Sequence, residues 1–237
     1  MTAYARREVA ATLLIGISLT AVVGLLWPWW ALLPGLLTVA LLSFYRDPRR
    51  LAPTGDNLLL AAADGRLLRI ERGYRSAPGA AAELRFLIFL SLLDVHINRS
   101  PCGGRVVDVR YRPGRFLNAL RAAASEQNES NQVTIQPEPP LPGPVHVRQI
   151  AGVLARRIVC AVRPGEQLRA GQRFGMIKFG SQTEIRVPED HRWEVLVRPG
   201  QHVRAGQTIL ARLSPVPPTA RTNQPAAANT GVDADKM

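Results

Sequence analysis

An uncharged apolar run from Val9 to Tyr45 constrains this chain more than any other feature. About 20 consecutive apolar residues cross a bilayer as one helix, and this run is nearly twice that long. The letters WPWW interrupt it near the middle, which predicts two short spans, 9–26 and 29–45, hinged at Pro28 with the tryptophans at headgroup level. One long tilted helix is the alternative. A cleaved signal peptide is disfavoured, because the run is too long and ends without a small-residue cleavage site.

Basic residues flank the apolar run on both sides. Arginines precede it at Arg6 and Arg7 and follow it at Arg46, Arg49 and Arg50. The positive-inside rule therefore places both ends in the cytoplasm, as a hairpin requires. The formal net charge of +12 favours contact with anionic lipid headgroups. Nucleic acid is not an expected partner, because the chain has no basic helix and no basic patch interleaved with aromatic residues.

The pattern changes from about residue 55 to short apolar runs broken by Gly, Pro and Asp, which is typical of a β-rich domain. The segment 82–97 is open to two interpretations, a buried pair of strands or one helix, because periodicity alone does not separate them. The stretch 125–145 is polar and then rich in proline, which indicates a loop. Five further segments are predicted strands: 105–111, 156–162, 173–179, 183–188 and 193–199.

A repeat lies within this β-rich part. The letters RPGEQLRAGQRF begin at Arg163, and RPGQHVRAGQTI begins at Arg198, 35 residues later. Each Pro-Gly and each Ala-Gly supplies a turn, so each unit is predicted to be a strand, a turn and a strand. Two related units suggest a barrel with pseudo-twofold symmetry, the pattern of barrel-sandwich domains such as biotinyl and lipoyl carriers. Lys178, after the first unit, is expected to be a solvated strand residue.

The cysteines and the remaining histidines carry no recognisable site. Cys102 and Cys160 match no C-x-x-C spacing and are expected to be reduced thiols, most simply small core residues. His146, His191 and His202 do not have metal-ligand spacing with each other or with the cysteines. No metal is therefore expected.

A Gly-Ser pair at Gly180 and Ser181 lies between two predicted strands, in KFGSQTEIRVP. In most proteins such a pair is an ordinary turn. A serine hydroxyl that attacks the preceding carbonyl converts an amide into an ester, and glycine leaves that attack uncrowded and tolerates strained torsions. β-Elimination of the ester leaves dehydroalanine, which hydrolyses to a pyruvoyl group at the new N-terminus. The pair is thus a candidate site of self-cleavage.

Several motifs together resemble the phosphatidylserine decarboxylase family, in its short membrane-anchored branch. They are FYRDPRR, AAADGRL, DVHINRSPCGGRV, SEQNES, VRQIAGVLARRIV and GQRFGMIKFGSQTEIRVP, and they extend from about Phe44 to about Leu213. The resemblance implies a proenzyme cleaved between Gly180 and Ser181 into a β chain, 1–180, and an α chain that associates with it as a heterodimer.

The resemblance also implies the chemistry. Ser181 becomes a pyruvoyl group, a covalent cofactor whose ketone forms a Schiff base with the amine of phosphatidylserine and accepts electrons as carbon dioxide leaves. The product is phosphatidylethanolamine, and the expected location is the inner membrane of a bacterial-type cell, with the catalytic domain on the cytoplasmic face. A membrane anchor fits a diacyl lipid substrate, which leaves the bilayer only at a large cost in free energy.

The resemblance further implies an Asp-His-Ser relay for self-cleavage, in which Asp64 and His96 match the family's carboxylate and imidazole. A carboxylate that orients an imidazole fixes its tautomer, and Asp94 is the alternative carboxylate. The long branch of the family has H-x-x-H-x-P, whereas HINRSP has Arg99 at the second histidine position. Asn98 and Arg99 are therefore candidates to assist catalysis or to bind the substrate's phosphate or carboxylate, with a capped turn as the structural alternative.

The chain is accordingly predicted to be mainly β, with a barrel-sandwich-like α+β catalytic domain behind a transmembrane helical hairpin. The predicted division is a membrane anchor over 1–50, a catalytic domain over 51–213 and a disordered tail over 214–237. The alternative function is a membrane-tethered, non-catalytic barrel-sandwich adaptor, which the repeat supports but which gives no reason for DVHINRSP.

Overall fold

The computed structural model describes residues 2–121, 123–153, 157–178 and 181–215. The fold is mainly β, as predicted, and is preceded by a helical hairpin. The predicted tail lies outside the described residues from 216 onward.

Two apolar helices form the hairpin: α1 (Arg6–Leu26) and α2 (Leu32–Phe44), joined by a 3₁₀ turn at Pro28–Ala31. The helices pack closely where α1 has Gly16, since a Cβ there would lie 2.2 Å from the hydroxyl oxygen of Thr38. By length and composition α1 can cross a membrane, and α2 with its preceding turn is a shorter apolar helix. The break at WPWW and the pair of helices are as predicted.

Fourteen strands and one short helix follow in the described part of the chain. The helix is α3 (Ala124–Gln127), and the strands are β1 (Leu58–Leu60), β2 (Gly65–Tyr74), β3 (Glu83–Leu90), β4 (Ile97–Arg99), β5 (Gly104–Arg112), β6 (Ser130–Pro137), β7 (Val145–Ile150), β8 (Ile158–Cys160), β9 (Gln167–Leu168), β10 (Arg173–Ile177), β11 (Ser181–Pro188), β12 (Trp193–Val195), β13 (His202–Val203) and β14 (Ile209–Leu213).

These strands form one large sheet and two small ones. The large sheet has eight strands in the order β13-β2-β3-β11-β7-β6-β5-β9, and the small sheets have the orders β1-β14-β12 and β4-β10-β8. The named neighbours pair antiparallel. The strand β11, which begins with Ser181, is hydrogen-bonded on both sides, to β3 and to β7.

The two repeat units occupy equivalent places in this arrangement. The short strands of the two units, β9 and β13, close the two opposite edges of the large sheet, and their second strands, β10 and β14, are the central strands of the two small sheets. The Ala-Gly turns are equivalent as well: the amide of Gly171 donates to the carbonyl of Ser100 at 2.8 Å, and that of Gly206 to the carbonyl of Ala61 at 2.8 Å. The predicted pseudo-twofold symmetry is confirmed.

The hydrophobic core lies on one face of the large sheet, and a charged network lies on the other. Along β11, Ile185 and Val187 belong to the core cluster, whereas the alternate residue Glu184 points to the opposite face and is only 1 % exposed. Its carboxylate binds Arg85 at 2.7 Å and also pairs with Arg148 and Arg186. Both faces of this central strand are therefore buried.

The structure corrects two predictions about the β-rich part and confirms a third. The segment 82–97 is neither a pair of strands nor a helix: it is the single strand β3 followed by a turn. The stretch 125–145 is not one loop, because it holds α3 and the strand β6. Val133 and Ile135 of β6 alternate with polar residues and belong to the core cluster, a strand pattern that is obscured by the polar residues before it and the prolines after it in the sequence. The five predicted strands each overlap an observed one, although 156–162 and 193–199 are longer than the three-residue strands β8 and β12 found there.

Candidate active site

Ser181 begins β11, at the end of the large sheet where β3 finishes. It pairs with Leu90, the last residue of β3, and its side chain is on the same face as the core residues Ile185 and Val187. Ser181 is fully buried, and its hydroxyl oxygen has no hydrogen-bond partner among the described residues. A buried unpaired hydroxyl costs free energy, so Ser181 calls for an explanation and is a candidate reacting group. Gly180, the other half of the predicted cleavage site, lies outside the described residues.

His96 lies at the same end of the domain, immediately before β4. Its main-chain carbonyl accepts a hydrogen bond from the amide of Ile177, four residues before Ser181, at 3.2 Å. The imidazole is fully buried, and its Nδ1 is 2.9 Å from the carbonyl oxygen of Asp94. A carbonyl can only accept, so Nδ1 carries the proton and Nε2 has a free lone pair. That Nε2 has no partner among the described residues.

The surroundings of His96 keep the imidazole neutral. Burial is the main cause that lowers its pKa to about 4; the hydrogen bond to Asp94 and the negative charges of Asp94 and Asp64 oppose this shift, and the positive charge of Arg46 adds to it. The ring of Phe44, the last residue of α2, packs against the imidazole with 4.3 Å between ring centroids. At neutral pH His96 is therefore an uncharged base with an available Nε2.

Asp64 is the predicted orienting carboxylate, and its hydrogen bonds go elsewhere. Arg50 binds both of its oxygens, one of them at 2.7 Å, and the amide of Ala205 donates to it at 2.8 Å. No described hydrogen bond joins Asp64 to His96, although its charge raises the pKa of that imidazole slightly. The following Gly65 has a φ of 143°, and a Cβ there would lie 2.0 Å from the carbonyl oxygen of Phe89. This tight approach fixes Asp64 against the sheet.

Asp94, the alternative carboxylate, also has other partners. It accepts hydrogen bonds from the amide and the hydroxyl of Ser91, both at 2.8 Å, and lies 2.8 Å from Nε2 of His202. The group that orients His96 in this structure is thus the main-chain carbonyl of Asp94. The carboxylate of Asp94 shapes the turn that presents this carbonyl.

Asn98 is buried beneath β11 and bonded to protein groups. Its amide nitrogen donates to the hydroxyl of Thr183 at 3.0 Å, and its oxygen accepts from Gln149 at 2.9 Å. Thr183 is two residues beyond Ser181 and on the same face of β11. Asn98 therefore positions this strand through a buried polar chain, and its predicted contact with substrate stays a prediction.

Arg99 is also buried and joins the Ala-Gly turn of the first repeat unit to the segment after α2. Its guanidinium donates to the carbonyl oxygens of Gly171 at 3.1 Å and Pro48 at 2.9 Å, and it pairs with Asp47 at 3.3 Å. Its Nε has no partner among the described residues. The residue at the second histidine position of the long branch thus has a structural role here, and its predicted contact with substrate also remains a prediction.

The anchor hairpin contributes contacts that no sequence motif indicates. Lys178 is buried rather than solvated, and its ammonium group binds the carboxylate of Glu8 in the first turn of α1. Arg50 reaches Asp64, and Phe44 covers His96. Three residues from or just after the hairpin therefore touch the candidate active site. An isolated arginine or glutamate beside a membrane segment is ordinarily read as solvated, so sequence offers no signal for these pairs.

The part of the chain that the structure describes contains no candidate metal site and no disulfide. No group of three His, Cys, Asp or Glu side chains there could hold a metal ion. Cys102 and Cys160 are both free thiols, and burial raises the pKa of Cys102 to about 12. Cys102 belongs to the core cluster, as predicted.

These features define a class of protein: a symmetric β domain with a buried serine and a neutral histidine, joined to an apolar helical hairpin. A sequence profile described as phosphatidylserine decarboxylase matches residues 37–211. The chain belongs to the phosphatidylserine decarboxylase family.

Three similar proteins each carry the name phosphatidylserine decarboxylase proenzyme. The one from Rhodopirellula baltica is 44 % identical over 208 residues, which cover 86 % of this chain and 85 % of the relative. The one from Saccharopolyspora erythraea is 43 % identical over 191 residues, 79 % of each chain. The one from Pelodictyon phaeoclathratiforme is 40 % identical over 218 residues, 89 % of this chain and 99 % of the relative.

Proposed function

We propose that this protein is a self-processing phosphatidylserine decarboxylase that produces phosphatidylethanolamine. The observation that carries the proposal is the pair of buried, unpartnered atoms at one end of the domain, the hydroxyl of Ser181 and Nε2 of His96. Each of these atoms is costly to bury without a partner, and together they are the nucleophile and the base that self-cleavage needs. The relatives are named phosphatidylserine decarboxylase proenzyme, which also supports the proposal.

Self-cleavage at Gly180 and Ser181 begins with the serine hydroxyl. Nε2 of His96 takes the hydroxyl proton while the oxygen attacks the carbonyl carbon of Gly180, and the amide nitrogen of Ser181 leaves with a proton, which yields an ester. Removal of the Cα proton of Ser181 then expels the Gly180 carboxylate and leaves dehydroalanine. Hydrolysis of its imine tautomer releases ammonia and leaves the pyruvoyl group.

The orienting groups have separate parts in this proposal. The carbonyl of Asp94 holds the Nδ1 proton of His96, which leaves Nε2 free to act as the base. Asp64 supplies negative charge near the imidazole and stabilises the imidazolium that forms when His96 accepts the proton. Its ion pair with Arg50 weakens that effect, so the proposed relay depends on where the Arg50 guanidinium lies.

The pyruvoyl group would occupy the first position of β11, in place of Ser181. When formed, it supplies a ketone that accepts electrons during decarboxylation. The two strands that flank β11 would hold this position, and the buried hydroxyl of Ser181, which has no partner among the described residues, supports the assignment. His96, neutral at the start, would take a proton at Nε2 from the substrate's ammonium group as the Schiff base forms and would return that proton to the product.

The chains 1–180 and 181–237 would stay together after cleavage as a heterodimer. The strand β11 is the first element of the shorter chain and pairs along its length with β3 and β7 of the longer one. The strand β14 likewise pairs with β1. Separation of the chains would require the large sheet to be opened at its centre.

The proposed setting is the cytoplasmic face of the inner membrane. The hairpin of α1 and α2 would insert into the bilayer as the anchor, residues 1–50, and the catalytic domain, 51–213, would lie against anionic headgroups. Support comes from the apolar length of α1 and from the arginines on both flanks of the hairpin.

A lipid assay tests the proposed activity. The full-length protein in detergent is incubated with phosphatidylserine, and the lipids are analysed by mass spectrometry, beside Ser181→Ala and the control Ser214→Ala. The expected result is conversion to phosphatidylethanolamine by the wild type and the control but not by Ser181→Ala. Absence of product from a folded wild type would favour the tethered adaptor instead.

A further inference from the structure

A cavity of about 610 Å³ opens at the foot of α2, between the hairpin and the β domain. Leu42 and Ser43 of α2 form its wall on the membrane side, and Val95, next to His96 in the chain, forms part of the opposite wall. The cavity therefore lies where an inserted hairpin would meet the headgroup layer, beside the candidate active site.

The lining of this cavity is strongly basic. Four arginines contribute to it, and Asp47 is its one acidic lining residue. That carboxylate is already paired with Arg99 and Arg173, which lie outside the lining. Asp47 therefore does not neutralise the arginines that line the cavity. The four arginines are Arg46, Arg49, Arg50 and Arg204.

Two of the four arginines have protein partners and two do not. Arg50 is bound to Asp64, and Arg46 donates to the carbonyl oxygens of Ser43 and Leu93. Arg49 and Arg204 are exposed, and neither guanidinium has a hydrogen bond or an ion pair with the part of the chain that the structure describes. Gln207 adds an amide to the same cavity. Two free guanidinium groups and an amide match the oxygens of a phosphodiester.

We propose that Arg49 and Arg204 bind the phosphodiester of the phospholipid substrate in this cavity. Phosphatidylserine carries its phosphate next to the serine headgroup, so a phosphate held here directs the headgroup toward the end of the domain that contains His96 and Ser181. The acyl chains would then follow α2 into the bilayer. The assignment of the bound lipid as substrate rests on the proposed decarboxylase function.

Steady-state kinetics with soluble dihexanoyl phosphatidylserine test the proposal. The full-length variants are Arg49→Gln/Arg204→Gln, the conservative Arg49→Lys/Arg204→Lys, and the control Arg110→Gln, whose arginine is exposed on β5 away from the cavity. Loss of charge-assisted hydrogen bonds predicts a KM raised about tenfold or more in the glutamine variant. Self-cleavage and kcat should stay near the wild-type values, the lysine variant should recover part of the loss, and the control should not change. An unaltered KM overturns the proposal.

A binding experiment separates this proposal from the proposed function. Full-length Ser181→Ala is titrated by calorimetry with dihexanoyl phosphatidylserine, dihexanoyl phosphatidylcholine and inorganic phosphate, with and without the two glutamine substitutions. The expected result is binding of both lipids that weakens about tenfold with the substitutions. Binding of inorganic phosphate alone would overturn the lipid site. If the wild type neither cleaves nor decarboxylates while this binding persists, the proposed activity fails and the phosphodiester site stands.

Discussion

The two halves of the β domain have equivalent backbones and different side chains. The segment before β2 reads LLLAAADG and the segment before β5 reads INRSPCGG, offset by 39 residues. Leu60 and Arg99 occupy matching places, since the amide of Leu60 donates to Pro101 at 2.8 Å and that of Arg99 to Ala62 at 2.9 Å. By the same offset Leu59 matches Asn98. The two positions are thus leucines in the first half and Asn98 and Arg99 in the second, and all four side chains are buried.

The difference separates what the fold requires from what the site requires. A buried position in this backbone is filled by leucine without further partners, whereas Asn98 and Arg99 each need several hydrogen bonds to offset their loss of water. His96 has the same relation to Asn57: the carbonyl of Asn57 accepts from Leu213, as that of His96 accepts from Ile177. The fold alone therefore does not account for His96 in the second half or for Asp64 in the first, and the variants below test these two residues.

The largest expected effect is on the rate of self-cleavage, and it should be seen at His96 but not at its counterpart in the first half, Asn57. His96→Asn should slow self-cleavage by about 10² to 10⁴, the usual contribution of a positioned base. Asn57→Ala should lose only the bond from its side chain to the carbonyl of Leu213 and cleave at the normal rate. Timed cell-free synthesis with separation of the two chains measures both. Equal cleavage in the two variants would remove His96 from the mechanism.

Variants of the Arg50–Asp64 ion pair test whether the charge of Asp64 acts in self-cleavage or only in stability. Asp64→Asn leaves Arg50 buried without its counter-charge and should destabilise the protein by about 3–5 kcal/mol, as well as slow cleavage. The double variant Arg50→Gln/Asp64→Asn should regain much of the thermal stability in detergent but not the cleavage rate. If cleavage recovers together with stability, Asp64 has only a structural role.

The pKa of His96 predicts a loss of stability in acid. Above pH 6.5 the imidazole is neutral in both the folded and the unfolded chain, so it contributes nothing. Between pH 6.5 and about 4 the unfolded chain takes up a proton that the folded one resists, and the free energy of unfolding should fall by about 3 kcal/mol in total. Thermal melts of Ser181→Ala from pH 7 to 4.5 should show a steeper fall than those of His96→Asn/Ser181→Ala. Parallel curves would contradict a buried neutral imidazole.

The smallest expected effect concerns the shared turns of the two repeats. Gly171 has a φ of 74° and Gly206 one of 69°, and the two residues pack against each other. Alanine at either position should destabilise the protein by at least about 1–2 kcal/mol, because residues with a side chain rarely adopt this backbone. The two losses in thermal stability should be similar, while cleavage proceeds in both variants. A loss of cleavage in only one would show that the turns are not equivalent.

Much of this architecture follows from the sequence. The repeated RPG and RAGQ letters predict equivalent turns, since Gly171 and Gly206 need the same left-handed backbone. The uncharged run with WPWW predicts the hairpin. The symmetry of the preceding segments escapes sequence reasoning, because LLLAAADG and INRSPCGG share almost no side-chain character. The strand β6 is missed for another reason: the alternation of Val133 and Ile135 with polar residues is short and lies between a polar stretch and a proline-rich one.

The candidate site is predictable in its residues but not in its connections. A motif can indicate Ser181, His96 and Asp64, yet it carries no information on which acceptor holds the Nδ1 proton of His96. The partner of Asp64 is Arg50, which follows the hairpin in the sequence and precedes Asp64 by 14 residues. Such pairs depend on how the hairpin packs against the β domain, and no local pattern encodes that packing.

The mass of the denatured full-length protein, measured beside Ser181→Ala, tests the central claim most directly. The account predicts that the wild type yields two chains divided between Gly180 and Ser181, that the shorter chain has no free N-terminal amine, and that Ser181→Ala remains whole. A wild type that stays intact while its fold is sound would contradict self-cleavage and, with it, the proposed source of the catalytic ketone.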